Sequence, residues 1–199
     1  MQTENPGRRL VRIRPRHGTT YISQSRTVLS ADRDGFIRGG SEKGLFFNQT
    51  RILSHYRYLI NGEEPICNVV SNVEQHSWLG YYITSTTHDL LSEKDDGSGA
   101  VLQISQDTLE LRVSRFIGEG MHEDLDLTNF TQHPAQFQLA VEFNADFADQ
   151  LETILGRVQS GKLERSWKQE ADHSVFEFSY YAEHSFDHQG NRGAASIQR

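Results

Sequence analysis

The sequence predicts an all-β protein of antiparallel sheets, a sandwich or a barrel, and three observations carry that expectation. Apolar and polar residues alternate over several stretches. Leu109, Leu111 and Val113 stand against Glu110, Arg112 and Ser114. Phe137, Leu139, Val141 and Phe143 stand against Gln136, Gln138, Ala140 and Glu142, and Phe176, Phe178 and Tyr180 repeat the rhythm. A period of two gives a strand one dry face and one wet face, the mark of antiparallel sheets. Turn signals recur at short intervals between these runs, which favours a sandwich or barrel. Asn61-Gly62 between apolar runs supplies the two positive-φ positions of a tight hairpin turn. At 199 residues the chain suits a single domain spanning 1–199, with 1–8 and 187–199 as loose polar ends.

In chain order, Leu10-Val11-Arg12-Ile13-Arg14 reads as a short strand turned by Pro15 to Gly18, with Thr19 to Ser23 as its return. Thr27 to Ser30 leads into the turn Asp32-Arg33-Asp34-Gly35. Gly39-Gly40 and Gly44 break the chain around Ser41-Glu42-Lys43. Leu53 to Ile60 is expected to pair through Asn61-Gly62 with Ile66 to Val73. Tyr56 and Tyr58 then share one face and Arg57 takes the other. Trp78 to Thr84 is the next strand, rich in aromatic and β-branched residues. Glu93 to Gly99 is a loop by composition. Leu102 and Ile104 face one way, Asp107-Thr108 turns, and Leu109 to Val113 follows, with Leu125 and Leu127 repeating its pattern. Later come a polar hairpin around Ser160-Gly161 and strands over Leu163 to Lys168 and Val175 to Glu183. The polar residues from Asp187 to Arg199 end without a closing element.

One segment breaks the period of two. Phe147, Leu151, Ile154 and Leu155 recur at helical spacing, predicting a short helix near 146–155, with Asp146 capping its start and Gly156 its end.

Composition narrows the function. The net charge is -7 and no basic stripe exists, which argues against a nucleic-acid partner. Arg8, Arg9, Arg12, Arg14 and Arg16 alternate with Leu10, Val11 and Ile13, as the outer face of a strand would. The one cysteine, Cys67, permits no internal disulfide and no cysteine-based zinc site, and it reads as a small buried hydrophobe. No apolar run approaches about 18 residues, so no transmembrane helix is expected. Met1 to Gly7 has no hydrophobic leader core, from which a cytoplasmic protein is expected.

Candidate chemistry is sparse. The glycines around 39–44 match neither the P-loop nor the dinucleotide fingerprint, and no helical pattern follows them. Asp146, Asp149 and Glu152 would share a helical face. A glycosidase needs two carboxyl groups about 5–10 Å apart, but a cap at Asp146 and a solvated Asp149 explain the pair as well. Nine histidines are scattered. His184 and His188 are four apart without the glutamate of a zinc motif, so neither metal nor cofactor is expected. No Gly-x-Ser-x-Gly elbow is present. Trp78 and Tyr81, with Tyr82, Tyr56, Tyr58 and Trp167, could stack on sugar rings or pack a core. Arg51 could serve an interface or pack its stem along a strand.

The stretch Asp32-Arg33-Asp34-Gly35-Phe36-Ile37, then Gly44-Leu45-Phe46-Phe47, then Gln49-Thr50-Arg51-Ile52-Leu53-Ser54, then Asn61-Gly62 resembles the start of the N-terminal domain of bacterial and archaeal glycogen debranching enzymes, the amylo-α-1,6-glucosidase family. Gln49 stands where that family has an aspartate. Asp146-Phe147-Ala148-Asp149, with Glu152, resembles a second family element, whose arginine before the glycine is absent here, Arg157 standing just after Gly156. The resemblance implies a non-catalytic, supersandwich-like β-sandwich. Its catalytic carboxylates would lie in an (α/α)6 barrel downstream of these residues, and none here would be catalytic. Thr50, Arg51, Asp146 and Asp149 would be interface or substrate-proximal residues. The implied partners are the catalytic domain of the same polypeptide and an α-glucan, with no nucleic acid and no membrane. A domain of this kind should expose an apolar patch towards its partner. A free-standing carbohydrate-binding module and a small hydrolase using Asp146 and Asp149 are the competing expectations.

Overall fold

The structure is a computed structural model that describes residues 18–40, 42–85, 108–130, 134–157, 161–188 and 191–198. In chain order the strands are β1 Thr19–Gln24, β2 Thr27–Asp32, β3 Gly44–Phe47, β4 Thr50–Leu53, β5 His55–Ile60, β6 Ile66–Glu74, β7 Ser77–Ser85, β8 Thr108–Ile117, β9 Met121–Asn129, β10 Leu139–Asn144, β11 Gly161–Gln169, β12 Ser174–His188 and β13 Asn191–Gln198. Among the described residues a helix, α1 Gln150–Leu155, lies between β10 and β11. Every strand pairing among the described residues is antiparallel.

Two meanders, β1-β2-β3-β4 and β6-β7-β8-β9, form the two faces of a sandwich. Alternation decides which side chains meet between them. Ile22, Leu29, Ala31 and Leu45 come from the first sheet, Trp78, Tyr82, Leu111, Val113 and Ile117 from the second, and Tyr58 and Ile60 from β5, all in one buried cluster. Burying each large aliphatic side chain here contributes about 1.5–3 kcal/mol. The turn at 32–35 closes as expected, Gly35 donating its N–H to the Asp32 carbonyl at 2.8 Å. It delivers Phe36 and Ile37 into the cluster, where the Phe36 ring stacks on Tyr82.

The Asn61-Gly62 turn forms, with φ of 54° and 85°, but it does not join two strands of one hairpin. Ile60 and Glu63 exchange both backbone bonds across it. Beyond it Pro65, which has no N–H for a ladder, sends the chain to the second sheet, where β6 pairs with β7. The partner of β5 is β10, 79 residues further along at the Leu139–Ile60 pair (139 minus 60). Asn61 captures it: its N–H donates to the Gln138 carbonyl and its Oδ1 accepts from the Gln138 N–H, each at 2.9 Å.

A third sheet, β11-β12-β13, carries the far end of the chain. The stretch from Asp187, expected to end without a closing element, instead finishes β12 and forms β13, which pairs along it from Tyr181–Gln198 to His188–Asn191. The ladder's backbone bonds hold this polar sequence in strand form, a gain that composition does not register. On β10 the apolar side of the alternation is not dry. Phe137, Leu139 and Val141 are exposed, while Phe143 packs edge-on against Phe176 and Phe178. The expectations for 10–14, 93–99, 102–104 and Ser160 fall outside the described residues.

Candidate functional site

The two sequence elements that carry the family resemblance meet at one edge. Asn48 and Gln49 both adopt positive φ, 47° and 67°, making a tight turn between β3 and β4 without a glycine. The turn lays Thr50-Arg51 beside the segment 144–150. Arg51 N–H donates to the Ala148 carbonyl at 2.8 Å, Gln150 N–H to Gln49 at 2.9 Å, and Thr50 bridges Asp149.

Arg51 then closes a clamp across 95 residues of sequence. Its Nε lies 3.1 Å from Asp146 Oδ1 and its Nη2 2.5 Å from Oδ2, the bidentate fork that suits a planar guanidinium. Its Nη1 donates to the Gly40 carbonyl at 2.9 Å and to the Lys43 carbonyl at 3.2 Å. The stem crosses Gly44, whose φ is 152°. A Cβ there would stand 2.5 Å from Arg51 Cδ and 2.7 Å from the Leu53 carbonyl. Glycine is therefore what lets Arg51 reach inward to Asp146. Arg157 reaches the same point, Nη1 donating to the Asp146 carbonyl at 2.5 Å while its guanidinium lies over the Tyr180 ring.

The helix starts later than its apolar spacing predicts. Phe147 has φ of 50°, outside the helical region, and stacks on Tyr180. Asp149 is the cap. Its Oδ1 accepts from Leu151 N–H at 2.7 Å and Glu152 N–H at 3.0 Å, and Glu152 Oε2 accepts from Asp149 N–H at 3.1 Å. This reciprocal box satisfies the orphan donors of the first turn. Asp146, expected as the cap, is taken by Arg51 instead. The helix also lies with its polar side in. Glu152 is buried, while Leu151, Ile154 and Leu155 are 65 %, 57 % and 78 % exposed.

Thr50, Arg51, Asp146 and Asp149 are thus brought together, each with a definite partner. The Asp146 oxygens face a guanidinium and an Asp149 oxygen holds the helix start, so these carboxylates are occupied in the fold. Among the described residues no group of three or more His, Cys, Asp or Glu side chains could hold a metal ion. No helix among them is long and apolar enough to cross a membrane.

The candidate stacking residues lie elsewhere. Trp78 is 1 % exposed, its ring beneath the Arg115 guanidinium and over Gly35 and Gly80, so no face of it is open to a sugar. Residue parity explains this, since Trp78, Gly80 and Tyr82 share the inward face of β7. Tyr81, on the other face, is half-buried opposite Arg112. Trp167 is exposed.

Sequence reasoning missed a buried polar centre. Arg115 continues the inward parity of Leu109, Leu111 and Val113, and it is completely enclosed. Its Nε donates to Glu123 Oε1 and its Nη1 to the Gly35 carbonyl at 2.7 Å, while the Tyr56 and Tyr58 hydroxyls both donate to Glu123 Oε2. Burial first, then the Glu123 charge, pushes both phenols well above the usual tyrosine range. Burial does the same to Tyr82, whose hydroxyl donates to the Asp34 carbonyl. Parity was the available signal: Arg115 faces Glu123 across β8 and β9.

A comparison with curated proteins finds no match. A family model described as the N-terminal domain of (some) glycogen debranching enzymes matches residues 22–187. The matched span holds both sheets of the sandwich apart from Thr19, Thr20 and Tyr21 of β1, both arms of the Arg51–Asp146 clamp, and α1. The chain belongs to the family of N-terminal domains of glycogen debranching enzymes.

Proposed function

We propose that this domain is the non-catalytic, cytoplasmic leading unit of a glycogen-debranching-type α-1,6-glucosidase. It packs on a downstream catalytic domain of the same polypeptide through the edge built by α1 and the Arg51–Asp146 clamp. The observation that carries the reading is the inverted helix. Leu151, Ile154 and Leu155 project outward from an element whose buried side is polar and fully capped. An anchored helix holding three large apolar side chains in water is a docking surface awaiting its partner. The occupied carboxylates at Asp146 and Asp149 favour this over an independent hydrolase. The buried Trp78 weighs against a free-standing sugar-binding module built on that residue.

The test begins with the source DNA beyond the codon for Arg199. The expected continuation is several hundred residues with helical-hairpin periodicity and spaced carboxylates. Amide hydrogen exchange is then measured over Leu151 to Leu155 in the 199-residue chain and in the longer one. Strong slowing in the longer chain is expected; equal rates in both would overturn the docking edge.

A further inference from the structure

Beside the clamp the first sheet carries a groove of about 560 Å³ on the face turned away from the core. Its floor follows from strand register. Tyr21 pairs with Ser30 and Val28 with Phe46, so these four residues form one outward patch. Gln150, Thr153 and Ile154 of α1 wall one side, and the Asn48-Gln49 turn, Arg26 and Glu42 complete the rim.

Two features mark the groove as a binding site. Ser30 is 3 % exposed although it lies on the outward face, and its hydroxyl has no hydrogen-bond partner among the described residues. Leaving such a group unmet costs about 1–3 kcal/mol. The side chains of Arg26, Asn48, Gln49 and Gln150 likewise make no hydrogen bond or ion pair among the described residues. Arg38, Arg51, Arg57 and Arg112, by contrast, each hold a carboxylate. The groove therefore gathers amide and hydroxyl groups able both to donate and to accept, around a half-exposed tyrosine and a phenylalanine. Charge is nearly balanced, one arginine against one glutamate.

That chemistry fits a neutral, polyhydroxylated ligand with an apolar ring face. Sugar rings have that character: their C–H faces lie on aromatic rings and their hydroxyls exchange bonds with planar amides. We propose that the groove binds a short α-glucan segment, with Tyr21 as the stacking ring and Asn48, Gln49, Gln150 and Ser30 as hydroxyl partners. The choice of α-glucan over other glycans rests on the glycogen-debranching reading above. Binding itself needs no catalytic domain.

The test is a titration of the 199-residue chain with maltoheptaose, followed by nuclear magnetic resonance of ¹⁵N-labelled side-chain amides, with cellohexaose in parallel. The Asn48, Gln49 and Gln150 signals should shift and saturate at millimolar maltoheptaose, and less with cellohexaose. Tyr21→Ala, on an exposed position, should weaken binding about tenfold, a loss of 1.4 kcal/mol. Gln49→Ala should weaken it less. Leu151→Ser with Leu155→Ser should leave the titration unchanged, which separates this groove from the docking edge. No saturable shift, equal shifts with both sugars, or full binding by Tyr21→Ala would overturn the proposal. So would the Asn48 and Gln49 amides, which lie off the docking helix, shifting in the longer chain without sugar, since the groove would then seat a protein segment.

Discussion

Replacing Glu123 by glutamine removes one charge from the buried centre and changes almost nothing in shape. The carboxylate accepts from Arg115 Nε and from the Tyr56 and Tyr58 hydroxyls. Its side chain is 7 % exposed and that of Arg115 1 %. After Glu123→Gln the guanidinium keeps the Gly35 carbonyl at 2.7 Å and the aromatic faces of Trp78 and Tyr56 at 4.8 and 5.7 Å. Aromatic faces offset about 2 kcal/mol of a desolvated cation. An uncompensated buried charge costs about 3–5 kcal/mol. With the compensation already present in the native state, that range is the expected loss on mutation. Domains of this kind hold about 5–15 kcal/mol in all, so about a fifth or more of the stability should go. The thermal midpoint should fall on the order of 10 °C.

Urea unfolding followed by tryptophan fluorescence reads this directly, because Trp78 lies against Arg115. A second arm separates charge from packing. Arg115→Met with Glu123→Leu removes both charges but orphans two phenols, at about 1–3 kcal/mol each. Adding Tyr56→Phe and Tyr58→Phe should recover most of the loss, since apolar replacements of buried ion pairs are often neutral or stabilising. A loss below about 1 kcal/mol in Glu123→Gln, or an equal loss in an Arg115→Met background, would refute the reasoning.

Three further outcomes are expected. Gly44→Ala drives a Cβ to 2.5 Å from Arg51 Cδ and should cost about 1–3 kcal/mol by urea unfolding. Arg51→Ala in the same chain should remove only the share owed to the Arg51 stem, because the Leu53 carbonyl at 2.7 Å and the φ of 152° remain; an undiminished penalty would place the whole clash on the backbone. Leu155→Ser should change stability by about 0.5 kcal/mol or less; a loss of about 2 kcal/mol or more would mean that α1 buries its apolar side. The phenols of Tyr56, Tyr58 and Tyr82 are raised above 10.0, so the native state keeps protons that the unfolded chain releases. Stability is then whole below pH 10 and falls as pH rises beyond it. Native phenolate absorbance just above pH 10 should be smaller than that of the urea-unfolded chain, and equal absorbance would contradict the burial of these rings.

The strands were legible because alternation is local. Leu109, Leu111 and Val113 needed no knowledge of their partners to be placed inward, and all three are buried. Partnership was not legible. Asn61-Gly62 encodes its own φ angles, but nothing nearby says that Gln138 will take the adjoining edge. The helix shows the same division. Its end at Gly156 was readable, while its start was decided by competition for Asp146, won by Arg51 from far away in sequence. The tight turn at Asn48-Gln49 lacked the glycine that marks such turns. Arg115 is a charged residue at an inward position of β8, and only strand parity points there.

The inversion of α1 carries the most weight for function. Helical periodicity finds an apolar stripe, and the usual inference is that the stripe faces the core of its own domain. Here the approach to the helix is held by Gln150 N–H on the Gln49 carbonyl, by the Thr50–Asp149 bridge and by the Arg51–Asp146 clamp, with Glu152 buried. Orientation is thus set by charge and hydrogen bonding. The apolar stripe is mostly exposed, Leu155 at 78 %, and is open to meet something else. Gln150 and Ile154, on the same six residues, also line the groove beside Tyr21. A partner seated on Leu151 and Leu155 would stand next to whatever the groove holds, so docking and sugar recognition would share one wall.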